Sequence, residues 1–91
     1  MLLKDKVVLI TGAGSSVGRA AAELFQAEGG VLALADVALS RLPQSVGGPA
    51  PTHPRALLIE ADLARSDDCQ RMVRTALDAF GRIDVLCNTV G

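Results

Sequence analysis

Apolar residues along this chain follow two patterns: short continuous runs, and longer stretches in which they recur every three or four positions. The continuous runs cover residues 6–11, 31–35, 56–60 and 82–88. Runs of this kind are typical of strands that are covered on both faces, as in parallel sheets. The helically spaced stretches cover residues 17–28 and 66–80. Strands that alternate with helices predict an α/β fold with a parallel sheet and right-handed crossovers.

Glycine and capping residues mark the ends of the two predicted helices. Gly29 and Gly81 follow the last apolar positions, where a left-handed residue commonly ends a helix. We expect Ser66 to be the N-cap of the second helix, because its hydroxyl can accept a bond from a free backbone N–H. Asp67 and Asp68 then lie at the positive end of the helix dipole.

One connection is much longer than the others. All four prolines and a Gly-Gly pair fall between residues 38 and 55, so at most a turn or two of helix near 39–42 survives. We expect a Pro- and Gly-rich loop at about 43–55. Residues 1–91 suit one small domain. We predict an incomplete, Rossmann-like, doubly wound parallel sheet of four strands in the order 3-2-1-4.

Composition and charge argue against several classes of function. The net charge is −1 and no basic cluster is present, which speaks against a nucleic-acid partner. Neither a secretory leader nor a spanning segment of about 20 apolar residues is visible, so we expect a cytoplasmic protein with no membrane partner. Cys69 and Cys87 lack CxxC spacing and clustered histidines, which indicates reduced thiols and no metal site.

A glycine-rich loop, Thr11-Gly-Ala-Gly-Ser-Ser-Val-Gly18, joins the first predicted strand to the first helix. Gly12 permits a tight turn, Gly18 permits close packing of the helix on the sheet, and the helix N-terminus offers unpaired N–H groups to a phosphate. Such a loop alone is weak evidence, because small-residue turns also serve packing. Between a strand and a helix it is a candidate site for the diphosphate of a dinucleotide.

Asp36 strengthens the dinucleotide hypothesis. It stands at the end of the second predicted strand, where a carboxylate can accept hydrogen bonds from both hydroxyls of an adenosine ribose. The same charge repels a 2′-phosphate, and neither Ser15 nor Val37 adds a cation that binds one. We therefore expect NAD as the cofactor in preference to NADP.

The glycine loop resembles the signature of the short-chain dehydrogenases/reductases. Their TGxxxGxG pattern matches Thr11, Gly12 and Gly18, with Ser16 in place of the second glycine. Ser16 puts a side chain where the family pattern has backbone nearest the diphosphate. It either weakens binding or adds a hydroxyl hydrogen bond, and the sequence leaves both open.

Two further motifs are similar to those of this family. Asp62-Leu63, after the third predicted strand, resembles the family's Asp-Val or Asp-Leu pair, whose carboxylate meets the adenine amino group. Asn88-Thr-Val-Gly91 resembles Asn-Asn-Ala-Gly. Thr89 and Val90 give a bulkier lining than the family norm beside the expected nicotinamide ribose.

The resemblance implies an NAD(P)-dependent oxidoreductase that transfers hydride between its cofactor and a small alcohol or carbonyl substrate, with a homo-oligomer as a candidate assembly. The family's chemistry uses a Tyr with a Lys four residues on, and a Ser. This chain has no Tyr, so we assign it no catalytic residue and expect the dinucleotide-binding part alone. The candidate cofactor-binding residues are Gly12, Gly14, Ser15, Ser16, Val17, Gly18, Asp36, Val37, Asp62, Leu63, Asn88, Thr89, Val90 and Gly91.

Two other functions stay open at this point. A non-catalytic module that binds a dinucleotide would need the same residues. A methyltransferase-type Rossmann domain also combines a glycine loop with a carboxylate after the second strand, but the TGxxxGxG-like spacing and the motif at 88–91 fit it poorly.

Overall fold

The structure, a computed structural model, describes residues 2–38, 40 and 56–89. Its strands are β1 (Val7–Thr11), β2 (Val31–Asp36), β3 (Ala56–Glu60) and β4 (Val85–Asn88), and its helices are α1 (Ser16–Ala27) and α2 (Ser66–Phe80). The predicted loop at 43–55 and most of the turn predicted at 39–42 lie outside the described residues. That residues 1–91 form one incomplete domain stays a prediction.

The four strands form one parallel sheet in the order β3-β2-β1-β4, which confirms the predicted Rossmann-like topology. The central register pairs Leu9 with Ala33 on one side and with Leu86 on the other. The carboxyl ends of all four strands therefore lie at one edge of the sheet, where doubly wound folds bind their ligands.

Alternate residues of β1 and β2 contribute to two separate hydrophobic cores, because successive side chains of a strand point to opposite faces. On one face, α1 covers a cluster composed of Val8, Ile10, Ala13, Ala22, Leu32 and Leu34. On the other face, α2 covers a cluster composed of Leu9, Ala33, Ala35, Ile59, Ala61, Met72 and Ala76. Every residue of β1 and β2 is buried, as their continuous apolar runs predict.

The start of α2 differs from the prediction. Arg65, not Ser66, occupies the N-cap position, it makes no side-chain capping bond, and Ser66 is the first helical residue. The reason is a turn before the helix, in which the Arg65 N–H donates to the Asp62 carbonyl at 3.0 Å. Asp68, in the first turn, accepts the Asp62 N–H at 2.8 Å. Asp68 thus satisfies an N–H of the turn before α2, whereas the side-chain capping bond expected from Ser66 is not made.

The other element ends are close to their predictions. Helix α1 begins at Ser16, one residue earlier than predicted, because the Ser15 hydroxyl accepts the Gly18 N–H at 3.0 Å as an N-cap. Gly29 and Gly81 have φ angles of 89° and 80°, and so end their helices in the predicted left-handed conformation. No helix in the described ranges is long and apolar enough to cross a membrane.

Strand β4 is shorter than the predicted run at 82–88 because the residues before Val85 make a different set of contacts. The Asp84 carboxylate accepts the Val7 N–H at 2.8 Å and binds the Arg82 guanidinium at 2.7 Å. The Arg82 hydrogen bond, followed by the bond from Val7, lowers the pKa of Asp84 below its usual value. This pair anchors the amino end of β4 to the amino end of β1.

Candidate functional site

The predicted site residues that the structure describes gather at the carboxyl edge of the sheet. Thr11 pairs with Ala35 and Asn88 in the strand register, so the glycine loop after β1 lies between the ends of β2 and β4. The Ala61 N–H donates to the Asp36 carbonyl at 2.9 Å, which brings the start of the 61–65 turn beside the end of β2. Val90 and Gly91, also predicted for the site, lie outside the described residues.

The glycines of the loop are required by the packing of the protein itself. Gly12 has a φ angle of +67°, and a Cβ there would lie 1.7 Å from the Thr89 carbonyl oxygen. A Cβ on Gly18 would lie 2.4 Å from the Gly12 carbonyl oxygen. The predicted tight turn at Gly12 is confirmed. At Gly18, which is predicted to let the helix pack closely on the sheet, the close contacts are instead with the glycine loop and Thr89.

The hydrogen bonds of the glycine loop leave backbone N–H groups at the start of α1 available to a ligand. The Ser15 N–H and hydroxyl both donate to the Gly12 carbonyl, at 3.0 and 2.8 Å. The N–H groups of Ser16 and Val17 donate to no acceptor among the residues described. These two N–H groups lie at the positive end of a helix dipole, the usual place for an anion.

Asp36 is fixed against the glycine loop. It is only 3% exposed, its Oδ2 accepts the Gly14 N–H at 2.8 Å, and its Oδ1 accepts the Val37 N–H at 2.7 Å. Both carboxylate oxygens thus accept a backbone N–H, which holds the Asp36 side chain at the end of β2 and against the glycine loop. Val37 is 54% exposed beside it and offers an apolar surface next to the carboxylate.

Asp62 and Leu63 follow β3 at the same edge. The Asp62 Oδ1 accepts the Ala64 N–H at 3.0 Å, which closes a small turn and leaves the carboxylate partly exposed. Leu63 packs against the core on the α2 side of the sheet. The structure therefore places a carboxylate near the end of β3, as predicted, but also gives it a local role in shaping the turn.

The end of β4 is joined to the glycine loop by bonds that sequence reasoning missed. The Thr11 hydroxyl donates to Oδ1 of Asn88. The Thr89 hydroxyl lies 2.6 Å from the Thr11 carbonyl oxygen and 3.0 Å from that of Gly12. The predicted strand order places the ends of β1 and β4 side by side, and this is the signal in the sequence that points to a contact between them. The side-chain pairing itself needs the three-dimensional register.

Outside this edge, the described residues hold few chemical groups of interest. Cys69 and Cys87 are both free thiols, and Cys69 contacts the Leu63 carbonyl through its Sγ at 3.4 Å. No group of three or more His, Cys, Asp or Glu side chains suited to a metal ion occurs in the described part of the chain.

The parallel order β3-β2-β1-β4, together with the glycine loop between β1 and α1, defines a Rossmann-like nucleotide-binding fold. Residues 6–91 match the family model described as short chain dehydrogenase. The chain therefore belongs to the short-chain dehydrogenase/reductase family and corresponds to the N-terminal part of its members.

Individual relatives agree with this assignment. The 1,6-dihydroxycyclohexa-2,4-diene-1-carboxylate dehydrogenase of Pseudomonas putida is 42% identical over 90 residues, covering 97% of this chain and 32% of that protein. A short chain dehydrogenase/reductase from Burkholderia phymatum, solved in complex with NAD, superimposes with a TM-score of 0.83 at 34% identity, covering 94% of this chain and 31% of the other.

A third match is the 3-ketoacyl-(acyl-carrier-protein) reductase from Brucella melitensis, solved in complex with NADH. Its TM-score is 0.81 at 32% identity, covering 91% of this chain and 33% of that one. The chain thus spans about a third of the length of the proteins that it matches.

Proposed function

We propose that residues 1–91 are the NAD-binding part, an incomplete domain, of an oxidoreductase that interconverts small alcohols and carbonyl compounds. The observation that carries the proposal is the junction of β1 and α1. There, the free N–H groups of Ser16 and Val17 lie in the same loop as Gly14, whose N–H binds the buried Asp36 carboxylate at 2.8 Å. One short loop thus combines anion donors with an acceptor for ribose hydroxyls.

The residues at this edge fit a dinucleotide. The Ser16 and Val17 N–H groups suit its diphosphate, because backbone donors at a helix start bind phosphate oxygens without a lysine or arginine. Asp36 suits the hydroxyls of the adenosine ribose. The buried position of Asp36 and its bonds to Gly14 and Val37 hold the carboxylate in one orientation. A preorganised acceptor of this kind loses little conformational entropy on binding.

The remaining site residues are assigned by their place at the edge and by family resemblance. Asp62 and Leu63 would border the adenine, because they follow β3 on the far side of β2. Asn88, Thr89, Val90 and Gly91 would border the nicotinamide ribose beyond β4. Gly12, Gly18 and Ser15 shape the loop between these two ends.

We favour NAD over NADP because of charge. The Asp36 carboxylate would lie next to the 2′-position of the adenosine ribose, where a 2′-phosphate would meet like charge. The neighbouring Val37 is apolar and carries no compensating cation. Two similar solved structures carry NAD or NADH, which supports the same preference.

When bound, the nicotinamide would accept or deliver hydride, the chemistry that the cofactor itself supplies. The residues of this chain would bind the cofactor and orient it across the carboxyl edge. The Thr11–Asn88 and Thr89 contacts fix the end of β4 against the glycine loop, so that the two halves of the cofactor would meet one rigid edge. None of the 91 residues is a Tyr, and we assign no proton-transfer residue in this chain.

The proposal is tested by measuring the affinities of the native chain and of Asp36→Asn for NADH and NADPH by calorimetric titration. We expect the native chain to bind NADH more tightly, and Asp36→Asn to shrink the NADH/NADPH affinity ratio by about tenfold. Removing one unit charge near a phosphate is worth on the order of 1–2 kcal/mol at a partly solvated site. Asp78→Asn, which removes an exposed carboxylate on α2, is the matched control and should leave the ratio unchanged. An unchanged ratio in Asp36→Asn would contradict the role of Asp36.

A further inference from the structure

Thr89 is the described residue that joins the end of β4 to the glycine loop most extensively. Its N–H donates to the Thr11 carbonyl at 3.1 Å. Its hydroxyl lies within hydrogen-bonding distance of two carbonyl oxygens, those of Thr11 at 2.6 Å and Gly12 at 3.0 Å. A hydroxyl has one proton, so the two carbonyls share it. The side chain is thus turned toward the loop and is only partly exposed.

The Gly12 carbonyl is the point where these bonds converge. Besides Thr89, it accepts the Ser15 N–H at 3.0 Å and the Ser15 hydroxyl at 2.8 Å. The same Ser15 oxygen accepts the Gly18 N–H and caps α1. Two hydroxyls therefore hold one carbonyl oxygen on the protein side of the loop, and one of them also sets the first turn of the helix.

Close packing ties Thr89 to the same two glycines. A Cβ on Gly12 would lie 1.7 Å from the Thr89 carbonyl oxygen, and a Cβ on Gly18 would lie 3.0 Å from the Thr89 Oγ1. Thr89 fills the space that the glycines leave. A change at Thr89 is consequently transmitted to the loop through direct contact.

The orientation of the Gly12–Ala13 peptide matters for an anion. Gly12 is held at a φ angle of +67°, and a glycine gives this peptide little intrinsic preference. The Ala13 N–H of this peptide donates to the Ala35 carbonyl at 3.0 Å. If the peptide turned over, that bond would break and the Gly12 carbonyl oxygen would leave the protein side of the loop, where its partial negative charge would repel a diphosphate. The hydroxyls of Thr89 and Ser15 oppose that rotation from the Gly12 carbonyl side, and the bond from Ala13 to Ala35 opposes it from the N–H side.

We propose that Thr89 is a positioning residue for the dinucleotide site. Its hydroxyl holds the Gly12 carbonyl on the protein side of the loop and so keeps the start of α1 in the conformation that receives a diphosphate. This rests on the proposed function of the chain. It adds a specific role for a residue that departs from the family's Asn-Asn-Ala-Gly pattern.

The test compares Thr89→Val, which removes the hydroxyl but keeps the shape, with Thr89→Ser, which keeps the hydroxyl. The control is Thr75→Val, because the Thr75 hydroxyl also donates to a backbone carbonyl, that of Arg71 at 2.7 Å, but on α2. Dissociation constants are measured for NADH, ADP and adenosine, with denaturant unfolding of each variant in parallel.

We expect Thr89→Val to weaken NADH and ADP binding by about tenfold each, the effect of one buried hydrogen bond. Adenosine, which lacks the diphosphate, should change by less than about twofold. Thr89→Ser and Thr75→Val should both bind all three ligands as the native chain does.

The contrary outcomes are distinct. If the native chain binds NADH and Thr89→Val binds it equally well, the positioning role is wrong and the proposed function stands. Equal weakening of all three ligands, or unfolding of Thr89→Val while Thr89→Ser folds and binds, would show a purely structural role and would also overturn this proposal. Failure of the native chain to bind NADH or ADP would overturn the proposed function itself.

Discussion

Strands β1 and β4 are neighbours in the sheet and similar in composition, yet their surroundings are opposite. Leu9 of β1 is 1% exposed, whereas Leu86, its register partner on β4, is 62% exposed. Strand β1 has a strand on each side and lies between α1 and α2, while β4 is an edge strand in the described sheet. A continuous apolar run therefore identifies a strand, but neighbours decide whether it is buried.

The two strands also differ in what holds them. Strand β1 is held by two apolar cores. Strand β4 is tied to β1 at both ends by polar side chains, Asp84 at its amino end and Asn88 with Thr89 at its carboxyl end. The polar contacts at the carboxyl end coincide with the candidate site, so the position of β4 matters most where the cofactor would bind.

A large loss of stability is expected from Gly12→Ala, which disrupts the contact between the ends of β1 and β4. Both the left-handed φ angle of Gly12 and the Thr89 carbonyl oxygen, which would lie 1.7 Å from the new Cβ, oppose this substitution. Strain of about 1–2 kcal/mol for the conformation and about 1–3 kcal/mol for overpacking predict a loss of about 3 kcal/mol in the free energy of unfolding. Urea unfolding measures it.

Gly81→Ala is the matched control for that experiment. Gly81 is also left-handed, with a φ angle of +80°, but nothing lies within 4 Å of its hypothetical Cβ. We expect a loss of about 1 kcal/mol from backbone strain alone. Equal losses for the two variants would contradict the close approach of Thr89 to the glycine loop.

The comparison of the strands themselves is tested by Leu9→Ala and Leu86→Ala. Truncation of the buried Leu9 should lower the free energy of unfolding by about 2–5 kcal/mol, because it leaves a cavity in the core on the α2 side. Truncation of the exposed Leu86 should lower it by less than about 1 kcal/mol. Similar losses at the two positions would show that β4 is buried in solution by something that the described fold does not include.

The smallest expected effect is at the amino end of β4, with Asp84→Asn. The pKa of Asp84 is lowered in the folded state by Arg82 and the Val7 N–H, so its carboxylate stabilises the fold above its unfolded pKa of about 3.9. This contribution is lost as the pH falls through the lower, folded pKa. The urea midpoint of Asp84→Asn should lie slightly below that of the native chain at about pH 6, and the difference should narrow as the pH falls below about 3.9. A constant gap would exclude the ionic contribution.

Much of this arrangement follows from the sequence, for identifiable reasons. The apolar runs and the glycines at 29 and 81 predict the elements, and the alternation of strands and helices predicts the parallel order. Asp36 is placed correctly because it ends β2. The N-cap of α2 could not be predicted from Ser66 alone, since the turn at Asp62 and the reach of Asp68 decide it.

The contacts of Thr89 show a second limit. Its hydroxyl acts on carbonyls 77 and 78 positions away along the chain, so no local pattern contains this information. The predicted strand order brings the two regions together, but the direction of a single side chain depends on the exact approach of β4 to the loop. Sequence reasoning therefore predicted which candidate site residues meet at the carboxyl edge of the sheet, and missed the hydrogen bonds that join them.

The central claim is that the carboxyl edge of the sheet binds a dinucleotide. The most direct test is a titration of the native chain with NADH in which backbone amide signals are monitored by NMR. The account predicts saturable binding in which the largest shifts of backbone N–H signals occur at Ser16 and Val17, the free donors at the start of α1. Absence of binding at about 1 mM NADH, the weak end of the usual affinity range, or shifts confined to residues away from the carboxyl edge of the sheet, would contradict it.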